Sequence, residues 1–168
     1  SWAASSASAS GTGVSPVPTS IDAYILHRAS ELQKQVIQAY QGYEFRIAHQ
    51  LLYDFCNDTL SKFYCAAVKD RLYCDRSDSQ RRRATQSVMW TLLETLCRLL
   101  APIMPHTADE AYRALWKSGG VGERNLFLES VQPIEFAADS DWAKAMAARE
   151  MAQKALEEAK ARGIENPL

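Results

Sequence analysis

The amino-acid sequence predicts an all-α fold, an antiparallel helix bundle of about five helices. Apolar residues recur three or four positions apart in most segments after Thr19, which is the periodicity of helices that bury one face. Proline, glycine and short polar runs divide these segments, so the connections are short and neighbouring helices run antiparallel. No pair of alternating runs predicts a β-hairpin.

Composition narrows the functional classes. The 168 residues are 47% hydrophobic and 23% charged, which suits one ordinary domain with a sizeable core and excludes wholesale disorder. The formal net charge of -1 predicts no polyanion partner, so any nucleic-acid surface must come from local clustering. No apolar run approaches the roughly 20 residues that cross a bilayer, and the start carries no export signal. We expect a cytoplasmic protein without a membrane partner.

The chain divides into three expected regions. Residues 1–19 are mostly Ser, Ala, Gly, Thr and Pro, a composition that cannot offset its ordering entropy, so we expect a disordered leader or linker. Residues 20–138 form the predicted helical bundle. Residues 139–168 form a predicted charged C-terminal helix that leads to a further region outside this chain.

The first helix is predicted from Thr19 or Ser20, either of which can cap it, to a stop at Gly42. Its apolar stripe consists of Ile21, Ile25, Ala29, Leu32, Val36 and Tyr40.

The second helix is predicted to begin near Tyr43 and to continue past Leu72. Its middle holds Asn57, Asp58 and Thr59, which are poor helix formers and predict a bend or polar neighbours. Its expected core stripe consists of Phe45, Ala48, Leu52, Phe55, Phe63 and Ala67.

The third helix is predicted over about 80–100, after a polar turn at 74–79 with Asp and Ser available as caps. Pro102 and Pro105 end it, because proline lacks the N–H and disfavours helix in the preceding residue. Its core stripe consists of Ala84, Val88, Leu92, Leu96 and Leu99.

Two further helices complete the predicted bundle. Thr107 and Glu110 predict a capping box for the fourth helix, which ends near Gly119 and Gly120. Residues 121–138 are irregular, with an extended stretch at 125–131. The last helix is predicted over about 140–162, and its Ala-rich, charged sequence is typical of a surface element.

The sequence predicts neither a metal site nor a catalytic site. The cysteines are too far apart for the close pairs of a zinc knuckle and are expected to be reduced packing residues: Cys56, Cys65, Cys74 and Cys97. Repeated Glu-x-x-His pairs, Gly-x-Ser-x-Gly, a Walker loop, His-Glu-x-x-His and a complete dinucleotide fingerprint are all absent. We therefore expect no cofactor here, and a free-standing helical enzyme has no candidate residues.

One basic concentration stands out, and we call residues 69–83 the cationic hinge. It contains three aspartates and six cations, a local net charge of +3, and the cations are Lys69, Arg71, Arg76, Arg81, Arg82 and Arg83. Three consecutive arginines cannot all pair with one carboxylate, so at least one must face solvent. Guanidinium forks match phosphate oxygens, which predicts a nucleic-acid contact. The alternative from the residues alone is a solvated polar hinge.

The order of several sequence blocks carries a family resemblance. The blocks are IDAYILHRASEL from Ile21, YEFRIAHQLLYDFCNDTLSKFYC from Tyr43, KDRLYCD from Lys69, RLLAPIMPHTADEAY from Arg98 and ALEEAKARGIENPL from Ala155. Together they resemble the helical anticodon-binding domain of the isoleucyl-tRNA synthetase family, in the class Ia group. Valyl, leucyl and methionyl relatives share the bundle, but KDRLYCD with the preceding FC and FY pairs is most similar to the isoleucine enzymes.

The resemblance implies a function that the motifs do not reveal. It implies binding to the anticodon stem and loop of the isoleucine tRNA, and together with the cationic hinge it leads us to expect that the six hinge cations contact RNA phosphates. It places ATP, Mg²⁺ and the HIGH and KMSKS signatures in a catalytic domain outside this chain, and zinc in a cysteine-rich segment beyond it. The catalytic and C-terminal domains of the parent ligase are the implied protein partners. A helical protein-interaction module is the alternative from another functional class.

Overall fold

The structure is a computed structural model that describes residues 20–118, 124–134 and 140–162. Contacts divide the chain into two units, 1–136 and 137–168. The described residues contain no β-strand, and those of the first unit form a bundle of packed helices, which confirms the predicted fold class. The predicted leader, 1–19, lies outside the described residues.

The helices follow the predicted order and closely match the predicted ends. They are α1 at Ser20–Gln41, α2 at Phe45–Asp54, a π-helix at Phe55–Cys65, α3 at Ala66–Tyr73, α4 at Gln80–Leu100, α5 at Pro105–Ser118, a 3₁₀ turn at Leu126–Leu128 and, in the second unit, α6 at Ser140–Ala161. The connections before α2, α4 and α5 contain three, six and four residues. Such short connections make successive helices antiparallel neighbours.

Helix α1 ends at Gln41, directly before the predicted stop at Gly42, and two backbone hydrogen bonds close the turn that follows. The N–H of Glu44 donates to the carbonyl of Ala39 at 2.8 Å, and the N–H of Tyr43 donates to the carbonyl of Tyr40 at 3.0 Å. This is a Schellman motif, in which the second residue past the last helical position adopts the left-handed conformation. That residue is Tyr43, with a φ of 57°, and not Gly42.

The second predicted helix is continuous from α2 to α3, but its middle is a π-helix. The i→i+5 bonds of a π-helix add residues to each turn, so later residues reach the core one position later than an α-helical repeat predicts. Tyr64 and Val68 are therefore buried in place of Phe63 and Ala67. The expected stripe is wrong at those two positions and at Phe45, which is 47% exposed.

The predicted capping box of the fourth helix is wrong. Helix α5 begins at Pro105, two residues before the predicted cap residue Thr107. Its first helical hydrogen bond runs from the N–H of Ala108 to the carbonyl of Met104 at 3.0 Å. Proline is favoured at the first helical position because its missing N–H has no partner there. Thr107 consequently lies inside the first turn.

The core has two parts that share α4. The larger part packs α1 against α2 and α4, with Ile25, Val36, Leu52 and Val88 buried. The second part joins α4, α5 and the 3₁₀ turn and contains Cys97, Ala108, Tyr112, Trp116 and Leu126.

Residues 124–134 are the described part of the segment that is predicted to be irregular, and they contain a 3₁₀ turn at Leu126–Leu128 where the sequence predicts an extended stretch. Buried Gln33 of α1 holds this segment through two backbone bonds. Its Nε2 donates to the carbonyl of Gln132 at 2.7 Å, and its Oε1 accepts from the N–H of Ile134 at 2.9 Å. A polar side chain in the core thereby satisfies backbone groups that regular structure leaves open.

The four cysteines are free thiols. Cys97 is buried and Cys56 is partly buried, but Cys65 and Cys74 are exposed, so the predicted packing role is wrong at those two positions. Within the described parts of the chain, no helix is both long enough and apolar enough to span a bilayer.

Candidate nucleic-acid interface

The cationic hinge lies at one end of the bundle. Its residues come from the end of α3, the six-residue turn and the first turn of α4. The antiparallel packing of α3 against α4 brings both sides of the hinge together. The six cations that are close in sequence are therefore also close in space, although their surroundings differ.

Arg71 faces inward, toward a buried carboxylate of α1. Its Nη1 lies 3.3 Å from Oδ2 of Asp22, whose side chain is fully buried, while the Arg71 side chain is 20% exposed. Oδ1 of Asp22 also accepts from the hydroxyl of Tyr64 at 2.7 Å. The hydroxyl of Thr85 lies 3.2 Å from Oδ2 of the same carboxylate. Side chains of the π-helix, α3 and α4 thus meet at one buried carboxylate of α1.

This buried network, Asp22 with Tyr64, Arg71 and Thr85, fixes the hinge to the core. Burial, followed by the hydrogen bond to Asp22, raises the pKa of Tyr64 above its ordinary value, so the phenol stays a donor. A buried carboxylate is tolerated because a cation and two hydroxyl groups satisfy its oxygens. Arg71 therefore holds α3 against α1 and α4.

Asp75 organises the turn. Arg81 binds its carboxylate with both branches of the guanidinium, Nε to Oδ2 at 2.9 Å and Nη2 to Oδ1 at 2.6 Å. Arg82 donates from Nη1 to the Asp75 carbonyl at 2.8 Å. Ser79 is the N-cap residue of α4, but its hydroxyl donates to Asp75 at 3.4 Å and makes no cap bond. Ser79 thus occupies the predicted cap position, but its side chain does not form the capping hydrogen bond.

The remaining cations face solvent. Arg76 pairs with Asp78 through two bonds of 3.2 and 3.1 Å, yet its side chain is 86% exposed. Lys69 and Arg83 are exposed, and neither forms an ion pair with any residue that the structure describes. Arg81 is 54% exposed despite its pairing. At least one of the three consecutive arginines reaches solvent, as the sequence argument requires.

The surface that results has four outward cations: Lys69, Arg76, Arg81 and Arg83. The first turn of α4 contains no acidic residue, although a helix N-terminus carries a positive partial charge that acidic residues normally complement. Basic side chains and the N-terminus of α4, which has no side-chain cap bond, together make a local positive potential on a chain whose net charge is -1.

The sequence prediction missed the two carboxylates that arrange this corner. Asp22 lies three and four positions before buried Ile25 and Leu26, on the face of α1 that the apolar repeat assigns to the core. This spacing could have predicted that the Asp22 carboxylate is buried. Asp75 offered no comparable signal, because a polar turn residue is exposed in most settings.

Comparisons with known proteins agree with the helical architecture. Residues 22–166 match a family model described as the anticodon-binding domain of tRNA ligase. The isoleucine–tRNA ligase of Brevibacillus brevis is 37% identical over 147 residues, which are 83% of this chain and 16% of that protein. The corresponding ligase of Halalkalibacterium halodurans is 37% identical over 145 residues, 83% of this chain and 15% of that protein.

A relative of lower identity covers a similar share of the chain. The isoleucine–tRNA ligase of Dichelobacter nodosus is 33% identical over 150 residues, 86% of this chain and 16% of that protein. The chain therefore spans about a sixth of the length of these curated relatives.

Proposed function

The chain belongs to the family of tRNA ligase anticodon-binding domains, as the sequence resemblance indicated, and from this premise we propose that it binds the anticodon stem and loop of the isoleucine tRNA. The single observation that carries the proposal is the match of residues 22–166 to that family. The relatives named isoleucine–tRNA ligase support the choice of tRNA.

The cationic hinge supplies the proposed contact surface. Lys69, Arg76, Arg81 and Arg83 point outward and are assigned to RNA phosphates. Arg71 and Arg82 belong to the same predicted set, and here they hold the hinge in shape through Asp22 and the Asp75 carbonyl. Phosphate contacts fix the orientation of an RNA, and unpaired loop bases provide its sequence identity.

Salt dependence tests the proposal directly. Neutralising about four phosphates releases counterions, so the logarithm of affinity for a single-stranded loop is expected to fall with the logarithm of salt concentration with a slope of about -3. Replacing Lys69, Arg76 and Arg83 together by Gln is expected to weaken RNA binding and to flatten this slope by about 2. These exposed positions leave the buried network and the Arg81–Asp75 pair intact.

A matched control distinguishes an effect of this surface from an effect of the total charge of the chain. The triple variant Lys34→Gln, Arg113→Gln, Lys117→Gln removes three exposed cations from α1 and α5. We expect it to keep most of the affinity and the slope. Equal losses in both triple variants, each verified as folded by circular dichroism, would show that the hinge is not the RNA-binding surface.

The wider role follows from the same premise. We infer that this domain positions tRNA for ATP- and Mg²⁺-dependent aminoacylation by a catalytic domain of a parent ligase, in the cytoplasm. Zinc, where a parent ligase carries it, is assigned to a segment beyond residue 168. The catalytic and C-terminal domains of that parent are the proposed protein partners, and activity of the full ligase with the hinge variant tests this positioning role.

A specific observation also favours the alternative function, a protein-interaction module. An apolar groove of about 370 Å³ lies between the π-helix, α4 and α5, lined by Leu60, Trp90, Leu93 and Leu115 among others. Leu93→Glu places a charge in this groove. Loss of a captured protein with unchanged RNA affinity in this variant would favour the alternative.

A further inference from the structure

Four exposed aromatic rings and one arginine lie in the turn before α2 and along one flank of that helix, and we call them the aromatic face: Tyr43, Phe45, Arg46, His49 and Tyr53. Phe45, His49 and Tyr53 are spaced four residues apart and therefore lie along one side of the helix. The buried residues of α2, Ala48 and Leu52, lie toward the core.

The rings of this face are held close to one another and remain open to solvent. His49 and Tyr53 are stacked, with centroids 6.2 Å apart and planes 21° apart. Phe45 lies 5.7 Å from the ring of Tyr40. Tyr53 is 56% exposed and Phe45 is 47% exposed. Neighbouring rings restrict each side chain while their outer faces stay accessible, so little conformational entropy remains to be lost on stacking.

Tyr43 adds an independent observation at the start of this face. It occupies the left-handed position of the Schellman turn, with a φ of 57°, where glycine is favoured. Its side chain is 83% exposed and therefore gains little from packing in the chain itself. A bulky residue in a strained conformation, with its ring in solvent, points to a contact outside the chain.

The aromatic face carries charges of both signs, because exposed Arg46 lies near exposed Glu44 and the helix ends at Asp54, so the rings and the open guanidinium, and not net charge, indicate its partner. Arg46 is exposed and has no ion pair with the residues that the structure describes. The carboxylate at the end of α2, Asp54, accepts a hydrogen bond from Gln50 at 2.8 Å. Aromatic rings with an open guanidinium fit a ligand that offers both flat bases and phosphates, which is unpaired RNA. A duplex hides its base faces and fits less well.

We propose that the aromatic face is a second RNA-contact surface, on which unpaired nucleotides stack while Arg46 binds phosphate. The inference rests on the proposed function, because it concerns an RNA already anchored at the cationic hinge. The aromatic face lies on the continuous helix that ends at the cationic hinge, and the 16 residues from Tyr53 to Lys69 span at most roughly 24 Å, since the intervening π-helix rises less per residue than an α-helix. One folded RNA can span that distance.

The experiment uses this chain and an RNA hairpin whose loop carries 2-aminopurine, a base analogue whose fluorescence is quenched by stacking. The double variant His49→Leu, Tyr53→Leu is expected to bind about 5- to 150-fold more weakly, the range for loss of one stacked base. We also expect it to lose the quenching and to keep the salt slope. Tyr53→Phe retains the ring and is expected to behave as the wild type. The matched control, Phe127→Leu, removes a 58% exposed ring from the 3₁₀ turn and should change nothing.

Tyr43→Gly is expected to change stability and RNA affinity in opposite directions, which a purely structural role of Tyr43 does not explain. Relief of the left-handed strain is expected to raise the melting temperature by about 2–4 °C, whereas loss of the ring lowers RNA affinity. A variant that becomes more stable and also binds more tightly would overturn the role assigned to Tyr43.

The remaining outcomes distinguish the two proposals. If the double variant keeps wild-type affinity and quenching while the hinge triple variant weakens binding, the aromatic face is excluded and the proposed function stands. If neither set of changes affects RNA binding, both proposals fail. Loss of a captured protein with intact RNA binding would identify the face as a protein interface and overturn the inference.

Discussion

Arg71 in the last turn of α3 and Arg76 in the following connection lie five residues apart, and each forms an ion pair with an aspartate at a similar distance. The Arg71–Asp22 pair spans 3.3 Å and its carboxylate is fully buried, whereas the Arg76–Asp78 pair spans 3.1 Å and both side chains are mostly exposed. Distance alone would rank the pairs as equals. Their burial differs, and water competes with the exposed pair, so the exposed pair contributes little to the free energy of unfolding.

The contrast assigns different roles to residues of one sequence cluster. Arg71 stabilises the bundle, and Arg76 is available for a ligand, since an exposed pair exchanges one anion for another at little cost. The four predictions below test this division between the buried network and the exposed part of the hinge.

The largest effect is expected from Asp22→Ala. Removing the carboxylate leaves Arg71, Tyr64 and Thr85 without their shared partner, and the free energy of unfolding should fall by about 3 kcal/mol. Urea unfolding with an unchanged m-value measures this loss. Asp78→Ala is the matched control at an exposed carboxylate of the same hinge, and similar losses in the two variants would contradict the division.

Tyr64→Phe should cost about 1.5–2 kcal/mol at neutral pH, because it removes one hydrogen bond to a carboxylate and keeps the packed ring. Burial and that hydrogen bond raise the pKa of Tyr64. The unfolded chain releases the phenolic proton near pH 10, before the folded chain does, so the contribution is complete below that pH and is lost as the pH rises above it. The stability difference from wild type should shrink in alkali. A constant difference up to pH 11 would be inconsistent with a buried, protonated phenol.

A smaller effect is expected from Asp75→Asn. The hydrogen bond from Arg81 lowers the pKa of Asp75 below its ordinary value of about 4. The stability that this carboxylate contributes is present above that pH and is lost as the pH falls below it. The variant should therefore melt earlier than wild type at pH 7, and the two melting curves should converge in acid. Parallel melting temperatures across the whole acid range would exclude the Arg81–Asp75 pair as the cause.

Arg76→Ala should change stability least, by less than about 0.5 kcal/mol, because its ion pair is exposed. RNA affinity should nevertheless fall, and the salt slope should flatten by about 0.7 if one phosphate contact is lost. Parallel thermal melts and binding titrations measure both quantities. A destabilised variant with unchanged binding would reverse the roles assigned to Arg71 and Arg76.

Local chemistry in the sequence determined most helix ends. The predictions from Thr19 to Gly42 and over 80–100 lie close to Ser20–Gln41 and Gln80–Leu100, because turn residues act on their nearest neighbours. The π-helix was harder to predict. Poor helix formers marked its location, but the choice of i→i+5 bonds depends on how Tyr64 and Val68 enter the core beside α1 and α4.

The same limit applies to the candidate site. The sequence by itself determined the family, the helical repeat and the concentration of six cations in fifteen residues, since each is a property of order along the chain. The tertiary structure decided which cations reach solvent. Arg71 turns inward because the fold brings Asp22, 49 residues away, against α3. Side-chain burial depends on such distant neighbours, and linear spacing does not encode them.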